Sequence, residues 1–265
     1  MADTAIIIGG GIAGCSSAYA LAQRGIKVTL LERNADIASA ASGNPLAMLY
    51  PRLSGDDASS QFALAGYMHS LAIYRTLQLE AGQIDNCGML QLGFNPRELA
   101  RIKKVAAQNH VPEIIRYVTS IEASAIAGIT LEHDALFLPD AAWVRPQRLC
   151  QRLIQHQNIT LKRACSVTAI QKDGHQFKVQ SDGKTVTEAD IVIIANANDA
   201  RLLCPGLPLS TQAVRGQVSL LKNAKNSRQL KSIVCSDGYL SPAAYPQSGE
   251  HLQSEVHPQS EVQLH

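Results

Sequence analysis

The sequence predicts an α/β protein, built from a Rossmann-like domain that also carries a β-meander and from a second, α+β domain. Three observations predict it. An apolar, β-branched run (Thr4–Ile8) enters a glycine-rich turn and a small-residue helix, and a second apolar run (Lys27–Glu32) follows; together they make a βαβ unit of about thirty residues. The strand–helix alternation then stops. From Ile159 the chain reads as short strands joined at Asp173-Gly174 and Asp182-Gly183, dipeptides suited to tight hairpins.

The elements follow in order. Thr4–Ile8 has the pattern of a buried strand. Ile12–Arg24 reads as a helix closed by Gly25 at its C-terminal glycine position. Residues 38–51 are small and irregular, and 57–82 reads as a long helix with Phe62, Ala65, Leu71 and Tyr74 among its apolar positions. Asn95-Pro96-Arg97-Glu98 is a helix start, with Asn as cap, Pro in the first turn and Glu reaching back. Arg145-Pro146 opens another helix to about Gln157. The stretch from Asp190 to Ala195, apolar after its first residue, predicts a central strand, and 214–221 and 232–240 predict two more strands. From Ser241 the chain is rich in Pro, Gln, Ser, His and Glu, which predicts a disordered tail over 241–265. His251, His257 and His265 lack a rigid frame that would make them metal ligands.

With 265 residues, 46% hydrophobic and 17% charged, the chain has the composition of a globular protein with a substantial core. A net charge of +2 is too mild to mark a nucleic-acid surface on its own. The six cysteines include no C-x-x-C pair and no zinc-ligand spacing, which predicts a reduced, cytoplasmic setting and no metal. Asp3 and the glycines before Cys15 argue against a signal peptide, and no stretch is long and apolar enough to predict a bilayer span.

The glycine turn carries the chemistry. Gly9, Gly11 and Gly14 fit G-x-G-x-x-G. The first glycine permits the turn, the second lets backbone approach a pyrophosphate, and the third brings helix against strand. The helix start that follows, at Ile12 and Ala13, offers N–H groups and the positive end of the helix dipole to an anion. Glu32 closes the second strand eighteen residues after Gly14, where a carboxylate accepts hydrogen bonds from an adenosine ribose and repels a 2′-phosphate. Arg33 is either a surface charge or a guanidinium lying over the adenine.

The early end of the βαβ alternation, followed by a late β-meander, resembles two-dinucleotide-fold flavoproteins of the D-amino-acid-oxidase-like superfamily. The stretches that carry the resemblance, in order, are residues 5–14 with 30–33, 41–44, 141–149, 189–198, 214–221 and 237–242. The run ASGNPLAMLYPRL at 41–53 is similar to the oxidoreductase domains of the tRNA 5-methylaminomethyl-2-thiouridine biosynthesis family.

The resemblance implies FAD as cofactor, in an FAD/NAD(P)-binding Rossmann-like domain spanning 1–54 and 142–212. It implies an α+β substrate domain over 55–141 and 213–240, left incomplete because the match dissolves near Ser241. It places Ser42, Gly43 and Asn44 over the pyrophosphate and flavin ring. It sets the backbone of Val167 at the adenine and Ala195-Asn196 beside the cofactor, with Asn196 a departure from the family's usual small residue. Tyr239 takes the position from which relatives hold a substrate carboxylate, and Arg52 is a further carboxylate candidate. The chemistry implied is oxidation of a carbon–nitrogen bond, either carboxymethylaminomethyl to aminomethyl on a tRNA wobble uridine with loss of glyoxylate, or turnover of glycine, sarcosine or a D-amino acid; an inactive flavin-binding remnant is the alternative. For tRNA, the basic candidates are Arg97, Arg101, Lys103 and Lys104, with Lys222, Lys225, Arg228 and Lys231. The position of Met1 just before the first strand suggests a stand-alone oxidoreductase or a separated piece of a bifunctional protein.

Overall fold

The computed structural model describes residues 2–108, 112–214, 216–219, 221 and 226–243. Strand β1 (Thr4–Ile8), helix α1 (Ile12–Ala22) and strand β2 (Lys27–Leu31) form the opening βαβ unit. Next come β3 (Ala47–Leu49), α2 (Ala58–Thr76), β4 (Ile84–Asp85), β5 (Met89–Leu92), α3 (Pro96–Ala106), β6 (Arg116–Val118), α4 (Ser120–Ala127) and β7 (Ala135–Leu138). The chain returns through β8 (Ala142–Val144), α5 (Pro146–Leu153) and β9 (Ile159–Lys162). A meander of β10 (Ala169–Asp173), β11 (Gln176–Ser181) and β12 (Lys184–Ala189) precedes β13 (Ile191–Ile194). The described chain ends with α6 (Ala200–Leu203), β14 (Ile233–Cys235) and β15 (Tyr239–Leu240).

A parallel sheet in the order β13-β1-β2-β9 is the frame of the glycine turn. Side chains alternate across β1. Ala5 and Ile7 pack with Cys15, Ala18 and Ala22 of α1 and with Leu149, Cys150 and Leu153 of α5. Ile6 and Ile8 face the meander through Val179 and Ala189. Each fully buried Ile or Leu contributes about 1.5–3 kcal/mol of transfer free energy, so β1 is held from both faces. A second sheet, β15-β14-β5-β7-β6, lies between α3 on one face (Met89, Leu136, Leu138 and Ile233 against Ile102 and Val105) and α4 on the other (Leu90, Leu92 and Ala135 against Ala123 and Ala127). A small sheet, β3-β8-β4, adjoins them.

Several expectations are corrected here. The Asp190–Ala195 stretch is an edge strand, not a central one: β13 pairs only with β1 among the described residues, because an all-apolar run reports two covered faces rather than two paired edges. Residues 232–240 form a hairpin, β14 and β15, with the chain turning at 236–238. No strand forms over the described residues of 214–221; Arg215 and Leu220 lie outside them. Helix α2 stops at Thr76, and Phe62 is 80% exposed while Tyr67 and Leu71 are buried. Helix α5 stops at Leu153, where Asn158 N–H bonds to His156 Nδ1 in the turn that follows. Residues 38–51, expected to be irregular throughout, include β3. Residues 241–243 are described, and the remainder of the expected tail lies outside the described residues. Among the described residues no helix is long and apolar enough to cross a membrane, and no group of three His, Cys, Asp or Glu could hold a metal ion.

Asp190 ties the end of the meander to the chain's first strand. Its Oδ2 accepts from the backbone N–H groups of Asp3 and Thr4 and from Thr4 Oγ1, at 2.9–3.0 Å. The Asp3 and Thr4 donors hold its pKa down at about 2. A depressed carboxylate stabilises the fold above its unfolded value near 3.9, and that stability is lost as pH falls toward the folded value. We therefore expect thermal unfolding midpoints to drop between about pH 4 and pH 2, and Asp190→Asn to flatten that drop while lowering the midpoint at neutral pH. Melting curves of both proteins across this range check it; identical pH profiles would refute the role given to Asp190.

Candidate dinucleotide site

The site is assembled at the C-terminal ends of β1, β2 and β13. Gly9 leaves β1 with φ of +109°, and a Cβ on it would stand 2.5 Å from the Ala195 carbonyl oxygen and 3.0 Å from Asn196 Cα. Gly14 is tighter still, because a Cβ there would lie 1.8 Å from the Gly9 carbonyl oxygen. These two contacts leave no room for a side chain, so the glycines are required by packing alone. Gly11 differs: its Cβ would meet only the Ser42 side chain, at 3.2 Å. The space beside Gly11 is thus open to an approaching ligand.

Glu32 is buried, 7% exposed, yet its carboxylate is well partnered. Oε2 accepts from Gly10 N–H at 2.7 Å and Oε1 from Asn34 N–H at 2.8 Å. Each carboxylate oxygen has a second lone pair, so both retain capacity for hydroxyl donors. The G-x-G-x-x-G pattern gives Gly10 no role, although its N–H orients Glu32 and a Cβ on it would crowd Glu32 Oε2 at 2.9 Å. The legible signal was the run of three glycines, of which only the first and third belong to the motif.

Ser42 belongs to a single 3-10 turn, Ala41–Gly43, and its Oγ accepts from Ile12 N–H at 3.0 Å. It therefore caps α1 from outside the helix, next to Ala13. Gly43 N–H bonds to the Ala40 carbonyl, and Asn44 is exposed. Val167 is half-buried against Ile6, Ile8 and Leu31, and its N–H has no partner among the described residues. Asn196 presses on Gly9, and its buried Oδ1 has no hydrogen-bond partner. A buried, unsatisfied acceptor costs about 1–3 kcal/mol unless something donates to it. Arg33 is a surface charge, 58% exposed, and its Nη1 is paired with Asp199 Oδ2 at 2.6 Å.

The elements thus bring Gly9–Gly14, Glu32, Ser42 and Asn196 together. Tyr239 is not among them. It stands on the edge of the second sheet, 44% exposed, cross-strand from Cys235, which in turn is in register with Gln91. Arg101 bonds to Gln91 Oε1, to the Leu53 carbonyl and to Glu98 Oε2. Arg101 is therefore a strut inside the domain and not the free basic residue expected for RNA. The exposed Arg52 and the Tyr50 hydroxyl adjoin this group; burial, with Cys235 next to it, pushes the Tyr50 phenol upward. A cavity of about 450 Å³ lined by Leu53, Gly55, Ser60 and Leu64 lies away from the glycine turn. In the glycine turn, by contrast, the N–H groups of Gly11 and Ala13 have no partner among the described residues and stand at a helix start, where an anion is held.

The family model described as FAD dependent oxidoreductase (DAO) matches residues 4–252. The tRNA 5-methylaminomethyl-2-thiouridine biosynthesis bifunctional protein MnmC of Methylobacillus flagellatus is 43% identical over 242 residues, covering 91% of this chain and 37% of that protein. Its namesake in Nitrosospira multiformis is 38% identical over 260 residues, covering 96% and 42%. The chain therefore spans about two fifths of the length of these relatives. Among solved structures, glycine oxidase from Geobacillus kaustophilus superposes with a TM-score of 0.71 at 21% identity, over 94% of this chain and 69% of that one. L-alpha-glycerophosphate oxidase from Mycoplasma pneumoniae, solved with FAD bound, superposes with a TM-score of 0.65 at 20% identity, over 89% and 65%.

The two kinds of glycine separate experimentally. Gly14→Ala should lower stability to urea by at least about 2 kcal/mol, as overpacking against fixed backbone does. Gly11→Ala should stay within about 1 kcal/mol of the parent while losing affinity for ADP. Equal stability of the two variants would contradict the packing described.

Proposed function

The chain belongs to the FAD dependent oxidoreductase family, and on that footing we propose that it holds the ADP half of FAD at the glycine turn and serves oxidation of a carbon–nitrogen bond. The observation that carries the reading is the buried Glu32 carboxylate, oriented by Gly10 and Asn34 with acceptor capacity to spare, beside an open Gly11 and a helix start. The unsatisfied Oδ1 of Asn196 and the unpartnered Val167 N–H fit the same ligand: a ribosyl or amide donor for the first, a ring nitrogen for the second.

In this reading Glu32 accepts from the ribose hydroxyls, and the N–H groups of Gly11 and Ala13 at the start of α1 meet the pyrophosphate. Ser42 fixes that helix start through Ile12, and Gly43 and Asn44 face the flavin end. When bound, FAD supplies a two-electron acceptor. Residues 1–54 and 142–212 form the cofactor unit, and 55–141 with 213–240 contribute to the substrate unit. There Tyr239, with Tyr50 and Arg52 nearby, binds and orients a carboxylate. Charge-assisted hydrogen bonds to a carboxylate are the stronger kind, so these groups set the position of the N–CH2 carbon.

The finer substrate is an N-carboxymethyl group on the wobble uridine of tRNA. The net change converts N–CH2–COO⁻ to the free amine and glyoxylate, with water supplying the aldehyde oxygen. Two features support it: the relatives named for tRNA 5-methylaminomethyl-2-thiouridine biosynthesis, and the exposed cations Arg97, Lys103 and Lys104 on α3 with Arg228 and Lys231. Lys222 and Lys225 lie outside the described residues. A cytoplasmic location suits this substrate.

Glu32→Gln should weaken FAD binding about ten- to a hundredfold, the worth of a hydrogen bond to a charged acceptor; equilibrium dialysis measures it, and an unchanged constant would remove Glu32 from the ribose. Anaerobic bleaching of bound flavin should be faster with tRNA bearing carboxymethylaminomethyluridine than with glycine or sarcosine. Preference for a free amino acid would move the chain to the small-amine oxidases.

A further inference from the structure

We propose that Asp199 is a positioning residue that holds Arg33 as a clasp across the adenosine crevice, so that the pair sets how slowly the dinucleotide leaves. The inference rests on the dinucleotide reading above and adds a residue that the glycine motif does not contain.

The geometry comes from the sheet order. β13, β1 and β2 are neighbours in that sequence, so the ends of β13 and β2 flank the end of β1, from which the glycine turn departs. Arg33 follows Glu32 at the end of β2, and Asp199 follows Asn196 beyond β13. A bond between them bridges the strands on either side of β1, at the end of the sheet from which the glycine turn departs. It does so at 2.6 Å, between residues 166 apart in sequence. Among the described residues it is the only hydrogen bond or ion pair between residues 33–34 and residues 196–199.

Two local features show that the 196–199 loop is shaped for this place. Ala197 sits at φ of +55°, a left-handed conformation that is uphill for a residue with a Cβ. Strained backbone of this kind collects at ligand sites. Asn196, one residue earlier, carries the buried Oδ1 that has no protein partner. Stability of the fold does not explain the pair, because side chains that are 58% and 38% exposed gain little from pairing in water. What the pair has is position: Arg33 directly follows Glu32, Asp199 lies three residues past Asn196, whose Cα abuts Gly9, and the bond joins these two loops. A ligand seated below it leaves only when it parts, so its strength enters the release rate.

The test is the release of FAD from the loaded chain, followed by recovery of flavin fluorescence on dilution, at low and at high salt. It compares the parent with Arg33→Gln, Asp199→Asn, the double variant and the exchanged pair Arg33→Asp with Asp199→Arg. Thermal melts of each variant should match the parent, since the pair is exposed. Each single variant should release FAD about fivefold faster at low salt and lose its salt dependence. The double variant should be no faster than the faster single, and the exchange should restore slow release in part. Release within twofold of the parent for both single variants, or a double variant whose effect is the product of the two, would overturn the clasp. Failure of the parent chain to bind FAD at all would instead bring down the cofactor reading, and the clasp with it.

Discussion

A side chain that is missing governs this structure. The Gly9 carbonyl lies where the Cβ of any other residue at position 14 would stand, 1.8 Å away. That approach lets α1 lie on β1, with Cys15, Ala18 and Ala22 against Ala5 and Ile7. The same approach fixes where α1 begins, and hence where its unpaired N–H groups point. From there the rest is positioned: Ser42 on Ile12, Glu32 on Gly10, and the Ala195-Asn196 end of β13 against Gly9. Packing and ligand chemistry are therefore set by one contact, and the positive end of the helix dipole faces the crevice as a consequence.

What lies beneath the turn is also tuned. Cys15 and Cys150 meet in the core between α1 and α5, and Cys15 Sγ contacts the Gly10 carbonyl at 3.5 Å. The neighbouring Cys150 thiol and burial push the Cys15 thiol far up, which keeps it a small apolar filler rather than a nucleophile. Around the second sheet a different device operates. The Arg101 guanidinium spends its donors on Glu98, Leu53 and Gln91, tying α3 to the segment that follows Tyr50 and to the middle of the second sheet. Tyr50 and Arg52 are thereby held relative to Cys235 and its cross-strand neighbour Tyr239.

Local chemistry made much of this legible in the sequence. The βαβ unit declared itself through apolar runs and glycines, both Asp-Gly hairpins formed with Gly174 and Gly183 at positive φ, and Asn95 caps α3 by accepting from Glu98 N–H. Where tertiary partners decide, the sequence was silent. The Glu98 side chain was expected to close its own cap and instead pairs with Arg101; the reciprocal capping box is at Thr119 and Glu122. Periodicity marked the faces of β13 but not its edges, and it counts Phe62 among the apolar positions of its helix although that side chain is exposed. In the site, the motif gave Gly9, Gly11, Gly14 and Glu32. It gave neither Gly10, whose role is a backbone N–H, nor Asp199, which acts through a residue 166 positions away.

The central claim is that this crevice recognises an adenosine diphosphate group, not a flavin ring as such. Competition binding tests it most directly: FAD titrated into the chain, with ADP and FMN as competitors. The account predicts that FAD binds, that ADP displaces it and that FMN does not, because FMN lacks the adenosine ribose and the pyrophosphate that the proposed reading assigns to Glu32 and the start of α1. Displacement by FMN with indifference to ADP would contradict the account at its root.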